Sequence, residues 1–438
     1  LVGSQFQVDG EATFTFIVLA CNLNGYRNLC EFITGLRRTA QKGSYHLSRE
    51  AIAPQALADC VVLAAPDRRS SGAQLESIAR WLLGAFTGRC WLAVQMLRVL
   101  GDEMWLHQLR QISALTSIAL VAAEDVHMNM RARKPLQDVL TATRVGQPLT
   151  ACGFALQPNA ERHLRTRLRL AQTYPPDLLE ETLQVAARCH FSLDELRYRY
   201  PDEVVPPGET PMGYLRRITY EGAGRRWPQG MAAKEQEQIE HELALIGDLR
   251  FEHYFLTVYD IVRFARSQHI LCQGRGSAAN SVVCYCLGVT EVDPARMRML
   301  FERFISRERN EPPDIDIDFE HERREEVLQY LYAKYGRDRA ALTGVVIRYR
   351  PKSAIRDVGK ALGFPLETLE RLAKGHHWWD GQTVDPERLL EAGLRLDDLA
   401  VQQLLELTTA LLDFPRHLSQ HTGGFVLTQG PLARMVPI

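Results

Sequence analysis

The sequence lacks paired cysteines, an excess of charge and long apolar runs, and each absence excludes a class of protein. Its 438 residues include nine cysteines, but none stands in a CxxC pair or at a zinc-type spacing. The formal net charge of −1 excludes a global attraction to nucleic acid, so such binding must come from local basic clusters. The longest apolar runs, such as SIALVAA, are too short to span a bilayer, which argues against a membrane protein.

The cysteines are typical of a cytosolic protein. Cys284 and Cys286 fall inside the apolar run SVVCYCLGV, where free cysteines behave as small buried hydrophobes. Reduced, buried thiols fit the cytosol better than a disulfide framework does, and we find no signal peptide. The abrupt ends, LVGSQFQV and LARMVPI, predict that the chain is cut from a longer one.

The length predicts two to four domains, and the pattern along the chain suggests where they lie. Up to about Pro148, short apolar runs alternate with helical patterns, which is typical of an α/β domain. The strand candidates are FTFIVLA, CVVLAAP, CWLAVQM and SIALVAA, and the helix candidates are GYRNLCEFITGLRRTA and QLESIARWLLGAF.

The rest of the chain is mainly helical in pattern. RHLRTRLRLAQTY predicts a helix with Arg162, Arg165 and Arg169 on one solvated face. KEQEQIEHELALIGDL and FEHYFLTVYDIVRFARSQH predict two long amphipathic helices. After Arg348 the pattern stays helical until HTGGFVLTQG resumes a strand.

The stretch PPDIDIDF places three aspartates, Asp314, Asp316 and Asp318, two residues apart. In a strand, alternate side chains point to opposite faces, so one face is apolar and the other carries three carboxylates. Unpaired, these charges would repel one another. A pair of divalent cations satisfies them, and hard oxygen ligands select Mg²⁺ or Mn²⁺.

Two alternatives remain for this stretch. It is either a solvated acidic strand, or a calcium loop of the D-x-D-x-D type with Glu325 at the twelfth position. Phe319 argues against the loop, because the sixth position requires glycine for its sharp turn. Asp is depleted in strands, which argues against a chance acidic strand.

A glycine loop, Gly274 to Ser277, precedes a small-residue apolar helix in LCQGRGSAANSVVCYCLGV. Glycines let backbone N–H groups approach phosphate, and the N-terminus of a helix favours an anion. Arg275 and Ser277 add donors beside Gly276. The same pattern also fits a tight turn with a helix cap.

Further candidates are basic clusters and a pair of residues with metal-ligand chemistry. Arg303, Lys352 and Arg356 belong to clusters suited to phosphate contacts, although a solvated face explains each as well. Asp125 and His127 form a D-x-H sequence at a predicted strand end, which either binds metal or is structural.

Several stretches together resemble the C-family bacterial replicative polymerases, the alpha chain of DNA polymerase III. They are QGRGSAANSVVCYCLGVTEVDP, FERFISRERNEPPDIDIDFEHERREEVLQYLYAKYG, SAIRDVGKALG and HTGGFVL, and their order also fits. The segments FSLDELRYRYPDE, NEPPDIDIDFEHERREEV and HHWWDG are more similar to the error-prone branch, which is linked to damage-induced synthesis.

The resemblance implies a multidomain α/β and α+β protein. A partial PHP-type domain, a distorted β/α barrel, would occupy 1–185 with its helical connector. A polymerase beta-like nucleotidyltransferase palm would occupy 186–345, and a helical thumb 346–423. Residues 424–438 would begin a truncated return to the palm.

The resemblance also implies the active site of a DNA-directed DNA polymerase. Asp314 and Asp316 would bind two catalytic Mg²⁺ or Mn²⁺ ions, with Asp318 in support. Arg275, Gly276 and Ser277 would face the triphosphate. The chemistry would be two-metal transfer of a deoxynucleotide to a primer 3′-hydroxyl.

Two departures qualify this resemblance. In the PHP part, Asp125 and His127 match a late D-x-H, but Gln5 stands where metal-binding members carry an acidic residue, which argues against a working metal site. The family's third catalytic aspartate lies beyond HTGGFVLTQGPL. We therefore expect a central fragment that does not polymerise alone.

The expected partners are primer–template DNA and deoxynucleoside triphosphates in the bacterial cytoplasm. A sliding clamp and other damage-tolerance proteins would bind through regions outside this chain. Two other functions remain open: a non-catalytic nucleic-acid-binding fragment, and a PHP-type metal-dependent phosphoesterase.

Overall fold

The computed structural model describes residues 1–202, 204–293, 305, 315–374 and 386–438, but not the side chains of residues 277 and 386–388. The chain forms two compact units. The first contains Leu1–Glu195, Gly344–Thr422 and Pro437–Ile438, and the second contains Leu196–Thr343 and Gly423–Val436.

The fold is mixed α/β, as predicted. The barrel form of the first domain, the palm form of the second and the bounds of the four proposed segments stay predictions. No helix in the described part of the chain is long and apolar enough to cross a membrane.

A five-stranded sheet forms the centre of the first unit. Its strands, in spatial order, are β1 (Gly3–Val8), β2 (Phe14–Ala20), β3 (Cys60–Pro66), β4 (Cys90–Gln95) and β5 (Ala119–Ala123). The first three strands pair antiparallel, and β3, β4 and β5 run parallel. Strand β3 is buried along its whole length, because apolar clusters cover both faces of the sheet. The four predicted strands are confirmed.

Six helices lie between these strands or follow them in the sequence. They are α1 (Leu23–Arg38), α2 (Gly72–Ala85), α3 (Asp102–Thr116), α4 (Lys134–Val145), α5 (Arg167–Ala171) and α6 (Pro176–Ala186). Helix α2 begins with a capping box in which Ser71 and Gln74 satisfy each other's backbone amides.

The helix predicted over RHLRTRLRLAQTY is wrong at its start. Only Arg167–Ala171 is helical, because the preceding residues bond to a neighbouring segment instead. The amide of His127 donates to the carbonyl of Arg162 at 2.8 Å, and that of Leu164 donates to Met128 at 3.0 Å. Arg162 and Arg165 therefore lie off any helical face.

Helices form most of the second unit. They are α7 (Pro211–Arg226), α8 (Ala233–Asp248), α9 (Glu252–Ser267), α10 (Val282–Cys286) and α11 (Arg324–Tyr335). A two-stranded sheet, β6 (Cys272–Arg275) with β7 (Asp316–Phe319), lies on the core that α7 to α10 form. Helices α8 and α9 confirm the two amphipathic predictions.

The remaining elements are mostly in the first unit. Strands β8 (Ala340–Arg348) and β9 (Pro415–Leu427) pair with each other, and each contributes residues to both units. Helices α12 (Pro351–Leu362), α13 (Leu366–Lys374), α14 (Pro386–Glu391) and α15 (Leu399–Leu411) lie between them in the sequence. Helices α12 and α15 share a core with α4, so the region predicted as thumb packs on the N-terminal region.

Close packing of α7 on α10 requires a glycine. A Cβ at Gly222 would lie 1.9 Å from the carbonyl oxygen of Cys286, whereas a Cβ at Gly224 would have nothing within 4 Å. The two positions on one helix therefore differ only in their neighbours.

We predict that Gly222→Ala lowers the free energy of unfolding by more than about 2 kcal/mol, because backbone must move to admit the methyl group. Gly224→Ala is the matched control and should stabilise by up to about 1 kcal/mol through helix propensity. Urea unfolding followed by far-UV circular dichroism measures both. Equal stabilities for the two variants would contradict the packing argument.

Candidate active site

The glycine loop and the aspartate strand meet in the antiparallel pair β6–β7. In its register, Arg275 lies opposite Asp316, Gly274 opposite Ile317, and Gln273 opposite Asp318. The two motifs were predicted to act together because one suits phosphate and the other metal. The pairing places them side by side within the second unit.

The aspartate strand has the predicted two faces. Asp316 and Asp318 are exposed, whereas Ile315 and Ile317 are partly buried against the core of the unit. Phe319 continues the apolar face and packs on a second small cluster. The alternation therefore anchors the strand by one face and leaves the carboxylates in solvent.

Three predicted site residues fall wholly or partly outside the described structure. Asp314 and Arg303 lie outside the described residues. The backbone of Ser277 belongs to the 3-10 turn Gly276–Asn280, but its side chain is not described. Their roles stay predictions.

Gly276 brings the loop backbone against the aspartate strand. Its φ of +60° lies in the left-handed region, which a residue without Cβ adopts at least cost. A Cβ built on it would lie 3.9 Å from Oδ2 of Asp316. The loop at Gly276 is thus within van der Waals reach of a carboxylate.

Arg275 forms an ion pair with the aspartate strand. Its Nε lies 3.1 Å from Oδ1 of Asp318, and the two side chains are 63% and 64% exposed. An ion pair this exposed contributes little to stability and exchanges its partners readily. The guanidinium can therefore move to a phosphate oxygen without a large energetic cost.

The N-terminus of α10 does not offer the free amides that the sequence suggested. The side chain of Glu242, from α8, accepts from the amides of Val282 and Val283, both at 3.0 Å. Ser281 caps the same helix by accepting from Cys284 at 3.0 Å. The favourable helix end is thus satisfied internally, and this part of the phosphate-binding argument is wrong.

Glu242 is the residue that inspection of the sequence missed. It is 0% exposed and also accepts from Ser281 Oγ at 2.8 Å and from Gln238 Nε2 at 3.0 Å. Burial raises the pKa of Glu242 to about 6, although these hydrogen bonds favour the ionised form. The available signal was its place in the apolar stripe with Ile239, Leu243 and Ile246, where a charge is rarely buried unpartnered.

A second group of contacts fixes strand β6 from the other side. The amide of Gly274 donates to the carbonyl of Val289 at 2.7 Å. The segment around Val289 is held by Arg226, which donates to Thr290 O at 3.1 Å, and by Arg266, which donates to Gly288 O at 2.7 Å. The backbone of β6 is therefore fixed independently of the exposed carboxylates.

The donor set on the exposed face suits a hard cation. Asp316 and Asp318 present only carboxylate oxygens, the ligands that Mg²⁺ and Mn²⁺ prefer. Among the described residues, no three histidine, cysteine or acidic side chains are grouped so as to hold a metal ion. Asp314 would be a further ligand but is not described.

The second candidate, Asp125 with His127, follows the end of β5 as predicted. Oδ1 of Asp125 lies 3.2 Å from Nε2 of His127, and its Oδ2 is paired with the guanidinium of Arg162. The other ring nitrogen of His127 lies 3.2 Å from the side-chain amide of Gln137. Burial and, to a smaller extent, the charge of Arg144 lower the pKa of His127, which favours the neutral ring.

Neighbouring carboxylates have arginine partners as well. Arg165, with a 0% exposed side chain, lies 3.1 Å from Glu124 and 3.3 Å from Glu161. Glu161 also pairs with Arg131. Because guanidinium groups already balance these carboxylates, the residues do not fit a metal cluster. Gln5 is exposed on β1 and adds no ligand charge.

Lys352 and Arg356 lie on α12 in the first unit. Lys352 is exposed, whereas Arg356 is partly buried and pairs with Glu370 at 2.8 Å. Their contact with DNA stays a prediction, and Lys352 has the freer cation of the two.

We predict that Arg162→Ala lowers the free energy of unfolding by about 2 kcal/mol, because Asp125 keeps its charge but loses its partner. The Asp125 side chain is only 24% exposed, so water cannot replace the guanidinium fully. Arg69→Ala, which breaks a pair with a 91% exposed arginine, should leave stability unchanged. Thermal unfolding of both variants measures the effect. Adding Asp125→Ala to Arg162→Ala should recover part of the lost stability. A stability of Arg162→Ala equal to that of the wild type would contradict the prediction.

A pH dependence follows from Glu242. Its pKa is raised, so the folded state binds more protons than the unfolded state between about pH 4.5 and 6. The resulting stability is present below that window and is lost as pH rises through about 6. The stability of the wild type relative to Glu242→Gln should therefore fall by about 2 kcal/mol across the window.

Glu240→Gln is the matched control on the same helix. Its hydrogen bond to Arg216 lowers the pKa of Glu240, so its contribution has the opposite sign and is lost as pH falls. Urea unfolding at a series of pH values separates the two. The same pH slope in the wild type and Glu242→Gln would contradict the assignment.

Comparison with known proteins places this arrangement in a family. The family model described as the bacterial DNA polymerase III alpha NTPase domain matches residues 213–438, which include β6, β7 and the glycine loop. An error-prone DNA polymerase of Dechloromonas aromatica is 54% identical over 443 aligned residues, covering 100% of this chain and 42% of that protein. One from Azoarcus sp. is 54% identical, with 100% and 41% covered, and one from Methylococcus capsulatus is 52% identical, with 100% and 41% covered.

The chain thus spans about two fifths of the length of these relatives. The family model covers more than half of the chain and includes both motifs of the candidate site. The chain therefore belongs to the bacterial DNA polymerase III alpha family.

Proposed function

We propose that a protein containing this chain carries out template-directed DNA synthesis and is error-prone, acting in tolerance of DNA damage. The observation that carries the proposal is the β6–β7 register, which places Gly276 beside Asp316 and Arg275 opposite it. Relatives whose names state error-prone DNA polymerase support the chemistry. Because the chain spans about two fifths of their length, the activity is proposed for the longer protein.

The proposed site divides its work between the two motifs. Asp314 and Asp316, with Asp318 in support, would hold two Mg²⁺ or Mn²⁺ ions. Bound there, the ions would activate the primer 3′-hydroxyl and stabilise the departing pyrophosphate. Phe319 and the isoleucines hold the strand on the core, so the carboxylates keep their spacing.

The loop would bind the triphosphate. Gly276 allows the backbone to approach the phosphates, and Ser277 adds its own donors. Arg275 would exchange Asp318 for a phosphate oxygen, which leaves that carboxylate free to act near the metal. The exchange conserves the number of charge-assisted contacts of the guanidinium.

DNA would be held by basic residues of the first unit. Residues 344–356 contain Arg348, Arg350, Lys352 and Arg356 and no acidic residue. Contacts of this kind bind the phosphate backbone without reading sequence. Arg303 is assigned to the same role, and primer–template DNA and deoxynucleoside triphosphates are the proposed substrates.

The proposed setting is the bacterial cytoplasm. Recruitment by a sliding clamp and other damage-tolerance proteins is assigned to parts of the longer protein outside this chain. The palm and PHP-type folds and the helical thumb belong to the same proposal. The arginine partners of Asp125, Glu124 and Glu161 argue against a phosphoesterase.

The test is made in a protein of the relatives' full length that carries this chain. We predict that Asp314→Asn and Asp316→Asn each reduce Mg²⁺-dependent primer extension to background, because the metal ligands are lost. The Kd for primer–template DNA should change by less than about threefold, since those carboxylates do not hold the duplex.

Glu322→Gln, which neutralises an exposed acid in the turn after β7, is the control and should retain activity. Extension that survives Asp314→Asn or Asp316→Asn would overturn the catalytic assignment. Salt-dependent DNA binding by a folded wild type that adds no nucleotide would favour the non-catalytic function.

A further inference from the structure

Glu242 has a chemical environment that the proposed chemistry does not use directly. It is fully buried in the second unit, and four donors surround it: Gln238 from its own helix, and Ser281, Val282 and Val283 from the start of α10. No basic side chain is among these donors. The charge of Glu242 also acts on the buried thiols of Cys284 and Cys286 on α10.

We propose that Glu242 is a positioning residue, which fixes the glycine loop in the conformation that binds the incoming triphosphate. This inference rests on the proposed function. The carboxylate does not touch the substrate; it acts through the backbone to which it is bonded.

The glycine loop is joined to Ser281, a partner of Glu242, by a short stretch of chain. The 3-10 turn Gly276–Asn280 ends immediately before Ser281, and Ser281 donates its hydroxyl to Glu242 while capping α10. Ala278 and Asn280 are buried, so the turn between Gly276 and Ser281 is packed into the unit along its length. Securing Ser281 therefore limits how far Gly276 can move from Asp316.

Apolar packing alone does not account for an acid at this position. The raised pKa shows that the buried environment favours the neutral form, so ionisation at neutral pH costs stability. An apolar side chain would complete the stripe of Ile239, Leu243 and Ile246 without that cost. What an apolar side chain cannot do is accept from two adjacent amides and a hydroxyl at once.

The same contacts determine where the triphosphate can bind. Because the amides of Val282 and Val283 already donate to Glu242, the end of α10 has no strong attraction left for an anion. Phosphate contacts are thereby confined to the segment from Arg275 to Ser277. Glu242 thus holds Ser281 and the start of α10 in place and leaves residues 275–277 to contact the phosphates.

The test compares Glu242→Gln with wild type in the full-length protein, by steady-state primer extension at varied deoxynucleotide and Mg²⁺. Glutamine has the same shape, but its amide group faces a backbone N–H, of Val282 or Val283, whose bond is lost, beside a side chain that must turn to accept instead. We expect the KM for the nucleotide to rise about tenfold, with a smaller change in kcat and none in the Kd for primer–template DNA.

Glu240→Gln, on the same helix but outside this cluster, should match wild type. If Glu242→Gln does not fold, Gln238→Ala decides: it removes one donor, and the KM should rise about twofold to threefold. A nucleotide KM equal to that of the wild type overturns the positioning role. So does a rise in the Kd for primer–template DNA as large as the rise in KM. A wild type that adds no nucleotide overturns the proposed function instead, and the two failures are thus distinct.

Discussion

The candidate site depends on one backbone approach, between Gly274 and Val289. The amide of Gly274 donates to the carbonyl of Val289 at 2.7 Å, and a Cβ at Gly274 would lie 2.6 Å from that oxygen. Only glycine permits this approach, and β6 has just four residues, so the contact decides where the strand lies. The register with β7 follows, and with it the position of Arg275 opposite Asp316.

The acidic groups discussed above, all among the described residues, are accommodated in three ways, and each indicates a different role. Asp316 and Asp318 stay exposed on one strand, which suits ligands that exchange cations and water. Asp125 is paired with Arg162 in partial burial, which suits a permanent structural contact. Glu242 is fully buried, and its partners among the described residues are four neutral hydrogen-bond donors. A sequence shows the same residue type in all three places.

Short-range patterns predicted what short-range physics determines. The apolar runs gave β2 to β5, helical periodicity gave α8 and α9, and alternation gave the two faces of β7. The failures involve partners far apart in sequence. Arg162 to Thr166 has a helical pattern, but its backbone bonds to the segment after β5. Likewise, α4 shares a core with helices that follow it by more than two hundred residues, which a scan along contiguous segments cannot detect.

The site was predictable in its components and not in its electrostatics. The sequence correctly predicted that a glycine loop and an acidic strand act together in space. It also predicted two sources of attraction for a phosphate, the loop and the N-terminus of the following helix. The structure leaves only the first, because Glu242 already occupies the end of α10. In the proposed function, a negative charge buried behind the glycine loop would oppose the triphosphate if it were bare. Bonded to four donors, it is screened at short range, while the exposed guanidinium of Arg275 would supply the attraction that we propose for the triphosphate. We therefore expect the proposed nucleotide affinity to depend on Arg275 and the proposed divalent ions rather than on a helix dipole, and so to be sensitive to ionic strength.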